Sequence, residues 1–346
     1  MRTFQHGFAC RGAALRLKTA GLALAVFVIP AGPAVAVLPW VSIFNGTDLS
    51  GWKVPSPNPF WTVSGGVLAG QNNPVQAGSI LYTLASYQNF LLETDVRWTG
   101  EIDSGIMLRK PELQLQFGVS RSLNRDMTCS FYTGSYPPTA QAQGVAELWR
   151  TDDWNTIRLH ASGSIFTVWL NGVWVTEYTN ASYPQSGPIG LQIHPDLPMR
   201  VEFRNLRTIT AAVTDADEDG LPDAWERASW SPVRHAAAAD PDRDGLSNLM
   251  EFALGTNPAV AGLLGMPVQA MELIGGENFP VLTVTRNPTA AGLSFRVEVT
   301  DDFAVWRSGV AEFVTLEDTP SRLRVRDALP LSAAARRFHR LVVTSP

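Results

Sequence analysis

The chain has 346 residues, 45% of them hydrophobic and 17% charged, with a formal net charge of −5. That length accommodates two or three domains, and the charge balance lacks the basic surface that nucleic-acid binding needs. With 2 cysteines, Cys10 and Cys129, the chain also cannot be a disulfide-rich scaffold.

The N-terminus reads as an export signal. Arg2, Arg11, Arg16 and Lys18 form a basic lead, Ala20 to Ile29 is an apolar run, and Ala34-Val35-Ala36 fits a small-x-small cleavage site. The run is too short to span a bilayer. Residues 1–36 are therefore expected to be removed, leaving a secreted, periplasmic or cell-surface protein with no stable membrane span. Cys129 is then the remaining thiol, and its neighbours Thr128, Ser130 and Phe131 suit a packing role.

Residues 37–211 are rich in Trp, Gly and period-2 alternation. Strands are expected at 66–69, 90–98, 105–109, 112–118, 155–161, 165–170, 173–178, 190–194 and 201–208. Asn171-Gly172 between two of them is a strong hairpin turn. Many short strands separated by turns predict an all-β sandwich.

Alternation assigns the faces, because successive strand side chains point to opposite sides. Leu113, Leu115 and Phe117 are expected in the core, with Glu112, Gln114 and Gln116 on the other face. Leu191 and Ile193 likewise go in, while Gln192 and His194 face out. Glu93, Asp95 and Arg97 share one face of their strand. Trp52, Trp61, Trp98, Trp149, Trp154, Trp169 and Trp174 lie in this region. Most are expected in the core, with one or two near a site, since aromatic rings both fill cores and stack on sugars.

Residues 212–260 carry 10 acidic and 3 basic side chains. Two segments there, DADEDGLPDAWE and DPDRDGLSNLME, match a twelve-residue calcium loop, with oxygen ligands at positions 1, 3, 5, 9 and 12, a backbone carbonyl at 7 and Gly at 6. The first puts Asp215, Asp217, Asp219, Leu221, Asp223 and Glu226 at those positions, the second Asp240, Asp242, Asp244, Leu246, Asn248 and Glu251. Two copies in register predict two structural calcium sites, because so many carboxylates repel unless a hard dication lies between them. A short helical pattern follows each loop, 221–230 and 246–254, and neither has a convincing helix in front. The segment thus resembles dockerin or thrombospondin-type-3 repeats, which implies stiffening between extracellular domains. Residues 261–346 alternate again and predict a small β-sandwich for display or attachment.

The order of short motifs in the first domain resembles 3-keto-disaccharide hydrolase domains. The motifs are Phe44-Asn45-Gly46-Thr47-Asp48-Leu49-Ser50-Gly51-Trp52, Tyr87-Gln88-Asn89-Phe90, Asp103-Ser104-Gly105-Ile106 leading to Arg109, Glu112-Leu113-Gln114-Leu115, Trp154-Asn155, Leu170-Asn171-Gly172, Gly187 through His194, and Phe203-Arg204-Asn205-Leu206. The resemblance implies a concanavalin/laminin-G-like jelly roll whose concave face is the polar face above. Departures lie near that face: Asp103 stands where the family usually has Asn, and Pro195 follows His194 where Gly is usual.

The implied chemistry starts from a ketone at C3, which acidifies the hydrogen on C2. A base removes that proton, the enolate expels the glycosidic oxygen from C1, and water adds back. This needs a general base and an electrophile for the enolate oxygen; a divalent metal at the site would serve as the latter. Glu112 and His194 are the candidates for base or metal ligand, and Arg109 or Arg204 for the developing oxyanion. Gln114, Gln192, Arg204 and Asp103 are candidate substrate-binding residues. Two function classes follow: a secreted glycoside-cleaving hydrolase acting on 3-keto-glycosides, or a noncatalytic carbohydrate-binding protein on the same fold.

Overall fold

The computed structural model describes residues 40–345 except 110–112, 231–234, 263, 291, 334 and 335. The export signal and Glu112 thus lie outside the described residues. Strands dominate, all paired antiparallel, and the chain divides into two units, one reaching to Arg243 with 257–260, the other formed by 244–256 and 261–345.

In the first unit two sheets enclose one core. The first sheet runs, strand by strand, Val173–Thr179, Ile165–Leu170, Asn155–Ser162, Phe90–Trp98, Arg200–Ile209, Val67–Gln71 and Trp61–Ser64, with Val41–Ser42 added beside Arg200–Ile209. The second runs Phe131–Tyr132, Leu113–Ser120, Asp103–Leu108, Ile189–Ile193, Ser79–Thr83 and Trp52–Lys53, with Arg125–Asp126 added beside Leu113–Ser120. Asn171 and Gly172 both have positive φ, 51° and 84°, as a two-residue type I′ hairpin requires.

Period-2 alternation sorts the side chains as the pleat demands. Leu113, Leu115, Phe117, Leu191 and Ile193 all join the core between the sheets, together with Phe90, Phe166 and Phe203. Removing one such fully buried leucine costs about 2–5 kcal/mol. Cys129 is buried there as well, and burial pushes its thiol pKa up, so it is packing rather than nucleophile.

The outer face of the first sheet carries a ladder of ion pairs. Glu93 accepts from Arg158 at 2.7 Å and Arg207 at 2.5 Å, Asp95 from Arg204 at 3.0 Å, and Glu202 from Arg97 at 2.6 Å. The first acidic loop lies against this sheet. The Trp169 indole N–H donates to Asp217 at 3.0 Å, Arg158 donates to the Ala216 carbonyl at 3.0 Å and pairs with Glu218 at 3.0 Å, and His160 meets Asp223 at 3.0 Å. This part of the acidic segment is thus pinned to the sandwich and groups with it. Short helices Asp223–Ser229 and Asn248–Leu254 follow the two loops, the second capped by Ser247 and closed by Gly255 at φ 75°.

In the other unit, Val268–Ile274, Glu277–Thr285, Arg322–Asp327 and Phe313–Thr319 form a four-stranded sheet, and Ser294–Thr300 pairs with Phe338–Thr344. Its core joins Leu282, Val284, Val299, Leu323, Val325 and Leu341 to Met250 and Leu254 of the helix. Asp327 is buried beside it, accepting from Arg337 at 2.6 Å and paired with His339 at 2.8 Å. Burial opposes ionisation of Asp327, but the hydrogen bonds from His339 and Arg337 outweigh it and hold the carboxyl below its ordinary range.

Candidate functional site

The outer face of the second sheet is built in rows. Cross-strand partners share a face, so register puts Tyr132, Gln114, Met107, Gly190 and Tyr82 in one row. Gln116, Gly105, Gln192 and Ile80 form the next. Four strand spacings of roughly 4.8 Å set the two tyrosine positions about 19 Å apart, with amides between them.

Those amides are tied together. Gln114 Nε2 donates to Gln192 Oε1 at 2.7 Å, to Gln116 Oε1 at 2.8 Å and to the Ser104 carbonyl at 3.0 Å. Gln116 Nε2 donates to Asp103 Oδ1 at 2.8 Å. Gln114, Gln116, Met107 and Asp103 are buried although they point away from the sandwich core, and Gln192 is half-buried. Gly105 makes the close approach possible: a Cβ there would lie 2.6 Å from Gln114 Nε2 and 2.4 Å from the Leu115 carbonyl. Three candidates, Gln114, Gln192 and Asp103, therefore meet in one network. Asp103 has both oxygens engaged, the second by the Arg121 backbone N–H at 2.9 Å, which suits an orienting group better than a free base.

His194 follows the strand Ile189–Ile193 and is half-buried. Its Nδ1 lies 2.7 Å from the Pro195 carbonyl. Only a protonated Nδ1 can bond to a carbonyl, so the neutral ring carries its lone pair on Nε2. That is the tautomer a base or ligand needs.

Two arginines lie elsewhere. Arg109 sits at the end of Asp103–Leu108 with φ 50° and is 1% exposed. Its guanidinium is taken up by the Gly163 carbonyl at 2.6 Å and by the Gln88 carbonyl, and lies over Phe90 and Phe166 of the core. It ties two loops together rather than reaching the polar face, because its left-handed backbone departs from the strand alternation. Arg204 belongs to the first sheet, where it pairs with Asp95 and covers Trp154 at 4.2 Å. It therefore projects from the opposite side of the sandwich. Both are corrections to the sequence expectation.

The face also holds residues that the sequence pattern did not single out. Tyr132 and Tyr136 are 5.1 Å apart. Burial, opposed by the hydrogen bond with Ser120 and reinforced by the nearby Asp103 charge, raises the Tyr136 hydroxyl to about 12. Tyr132 was findable from its cross-strand position, but that position needs the register. Tryptophans do not supply the aromatics here: Trp52, Trp61 and Trp169 are buried, Trp149 stacks on Trp98, and Trp154 lies under Arg97 and Arg204. Among the described residues, no group of three His, Cys, Asp or Glu donors forms on the polar face.

Such groups do form in the acidic loops. Oxygens of Asp215, Asp217 and Asp219 lie within 4.8 Å of one another, as do those of Asp240, Asp242 and Asp244. Burial, then the Asp217 charge, raises Asp215 to about 7 and Asp219 to about 6. Asp215 Oδ1 and Asp217 Oδ1 are buried without a hydrogen-bond partner. Gly220 and Gly245 both turn at φ 95°. Asp219 accepts from Leu221 and Ala237 as Asp244 accepts from Leu246 and Gly262, the same spacing twice. An all-oxygen, repulsive, partly dry cluster fits a hard dication such as calcium. Asp223 stands apart from the three-carboxylate group: Ala216 N–H and His160 occupy its two oxygens, at 3.0 Å each. Glu226, Asn248 and Glu251 are buried.

A two-sheet antiparallel sandwich with an amide-lined polar face is thus the class that the first unit defines. Residues 39–209 match the family model described as a 3-keto-alpha-glucoside-1,2-lyase-like domain. Solved structures similar to the chain include a candidate glycosyl hydrolase of Parabacteroides distasonis, 18% identical, covering 50% of this chain and 94% of that one at a TM-score of 0.40. The carbohydrate-binding module CBM66 of Bacillus subtilis is 15% identical over 46% of this chain and 94% of that one, TM-score 0.32. A Bacillus licheniformis β-glucanase is 12% identical over 53% and 100%, TM-score 0.37. No curated protein matches the chain.

Proposed function

We propose that the sandwich domain acts on carbohydrate, as a secreted enzyme cleaving 3-keto-glycosides by elimination and hydration. The match of residues 39–209 to the lyase-like family carries this reading, and the amide network on the second sheet supports it. In the reaction, a base takes the C2 proton and the enolate forms toward the C3 oxygen. The C1–O bond then breaks, and the departing alkoxide takes a proton to leave as the alcohol. Water adds across the C1–C2 double bond to give the free 3-keto sugar.

His194 Nε2 and Glu112 are the groups proposed for proton transfer. Gln114 and Gln192 hold sugar hydroxyls, with Gln116 and Asp103 fixing their rotamers. A divalent ion bound by His194 and Glu112 would supply the electrophile for the enolate oxygen. Turnover of a 3-keto-α-glucoside by the full chain, with and without added divalent metal, tests the proposal. Release of the free 3-keto sugar supports it. Binding without release would favour the noncatalytic reading, which the fully engaged Asp103 carboxylate and the buried Arg109 also favour.

Calcium in the two acidic loops is the second part of the proposal, with Asp215, Asp217 and Asp219 holding one ion and Asp240, Asp242 and Asp244 the other. Export through residues 1–36 and a display or attachment role for the C-terminal unit complete it.

A further inference from the structure

A recess lies in the sandwich unit, apart from the row of amides. It is a cleft of about 680 Å³ between Arg125–Ser130 on one side and Gln141–Thr151 on the other. Met127, Ala142, Val145 and Ala146 give it apolar surface, and Trp149 forms part of the wall. The Trp149 ring is held by stacking on Trp98, 4.2 Å between centroids at 29°, so this aromatic surface is rigid before any ligand arrives.

The polar groups are also pre-set. The Arg125 guanidinium donates to Gln141 Oε1 at 2.9 Å and packs on Met127 Sδ at 3.2 Å. Asp126 Oδ1 is fixed by the Thr128 hydroxyl at 2.6 Å and its N–H at 2.8 Å. Glu147 is exposed in the first turn of Val145–Leu148. Two carboxylates against one guanidinium disfavour an anion, and the polar lining disfavours a purely apolar guest. A fixed aromatic wall, apolar floor and charged hydrogen-bonding rim suit a neutral polyhydroxylated chain.

One hydrogen bond links the cleft toward the polar face: Gln141 Nε2 donates to the Tyr136 carbonyl at 3.1 Å, and the Tyr136 ring lies 5.1 Å from that of Tyr132 at the end of the outer row. We propose that this cleft is an oligosaccharide-binding site that holds glycan units beyond the sugar at the polar face. The proposal rests on the carbohydrate reading above and assigns Arg125, Asp126, Glu147 and Trp149 to glycan binding.

Calorimetric titration of the full chain with cellotetraose, maltotetraose and laminaritetraose tests it, comparing wild type with Glu147→Ala, Glu147→Gln and Arg125→Ala. Unchanged melting temperatures exclude misfolding. The wild type should bind at least one tetrasaccharide, and each variant should bind it about tenfold more weakly, as loss of one charge-assisted hydrogen bond predicts. Turnover of a short 3-keto-glucoside should stay the same in all of them. Wild-type affinity in all three variants, or no tetrasaccharide bound by the wild type, overturns the cleft assignment. Turnover of the short substrate decides the polar-face reading separately.

Discussion

Removing calcium should destabilise the sandwich itself, not only the acidic segment. The first loop is held on the strands Asn155–Ser162 and Ile165–Leu170 by Trp169 to Asp217, Arg158 to Ala216 and Glu218, and His160 to Asp223. Without an ion, the carboxylates of Asp215, Asp217 and Asp219 repel within 4.8 Å, and the strain falls on those contacts. At free calcium about a hundredfold above its dissociation constant, one site adds about 2.7 kcal/mol. For a domain of this size that corresponds to about 5–10 °C in melting temperature. The assay is tryptophan-detected thermal unfolding of the full chain in millimolar calcium and in excess chelator, with Trp169→Phe as the reporter variant. Trp169→Phe keeps the aromatic ring but loses the indole N–H to Asp217, and should weaken calcium binding about tenfold. Equal melting in calcium and chelator would refute ion binding. A calcium effect on proteolysis of residues 215–251, with an unchanged sandwich transition and wild-type affinity in Trp169→Phe, would refute the coupling.

For the proposed proton transfer, His194→Ala or Glu112→Gln should reduce turnover of a 3-keto-glucoside by roughly 100-fold or more with nearly unchanged melting, as expected for a positioned general base; normal kinetics in both variants would remove them from the mechanism. Gly105→Ala should lower stability by about 1–3 kcal/mol, because its Cβ would collide with the Leu115 carbonyl and Gln114; chemical denaturation reads this directly. In the C-terminal unit, Asp327 has a folded-state pKa below its unfolded value. Its stabilising contribution is therefore present above the unfolded pKa of about 3.9 and is lost as pH falls through the lower folded value. Asp327→Asn should flatten that acid-side loss in a pH series of melting temperatures, and an unchanged pH profile would count against it.

Local periodicity alone makes the two faces of each strand legible. Leu113, Leu115 and Phe117 turn inward and Gln114 and Gln116 outward because successive side chains of a strand point to opposite faces, and that needs no knowledge of neighbours. Asn171-Gly172 declares its turn through backbone conformations that few other residue pairs adopt. The acidic loops are equally local: the spacing of Asp215, Asp217 and Asp219 brings their oxygens together within one turn of chain.

Everything that depends on which strands become neighbours was decided in three dimensions. Gln114 and Gln192 are 78 residues apart and hydrogen-bond because two intervening pairings set their register. Arg109 and Arg204 looked alike in sequence, yet one is drawn into the core and the other projects from the opposite sheet. His160 became an anchor for Asp223 only because the acidic loop returns to the strand that carries it. A side chain's face follows from its own strand, whereas its partners follow from sheet order, and sheet order is set by long-range burial that no single segment contains.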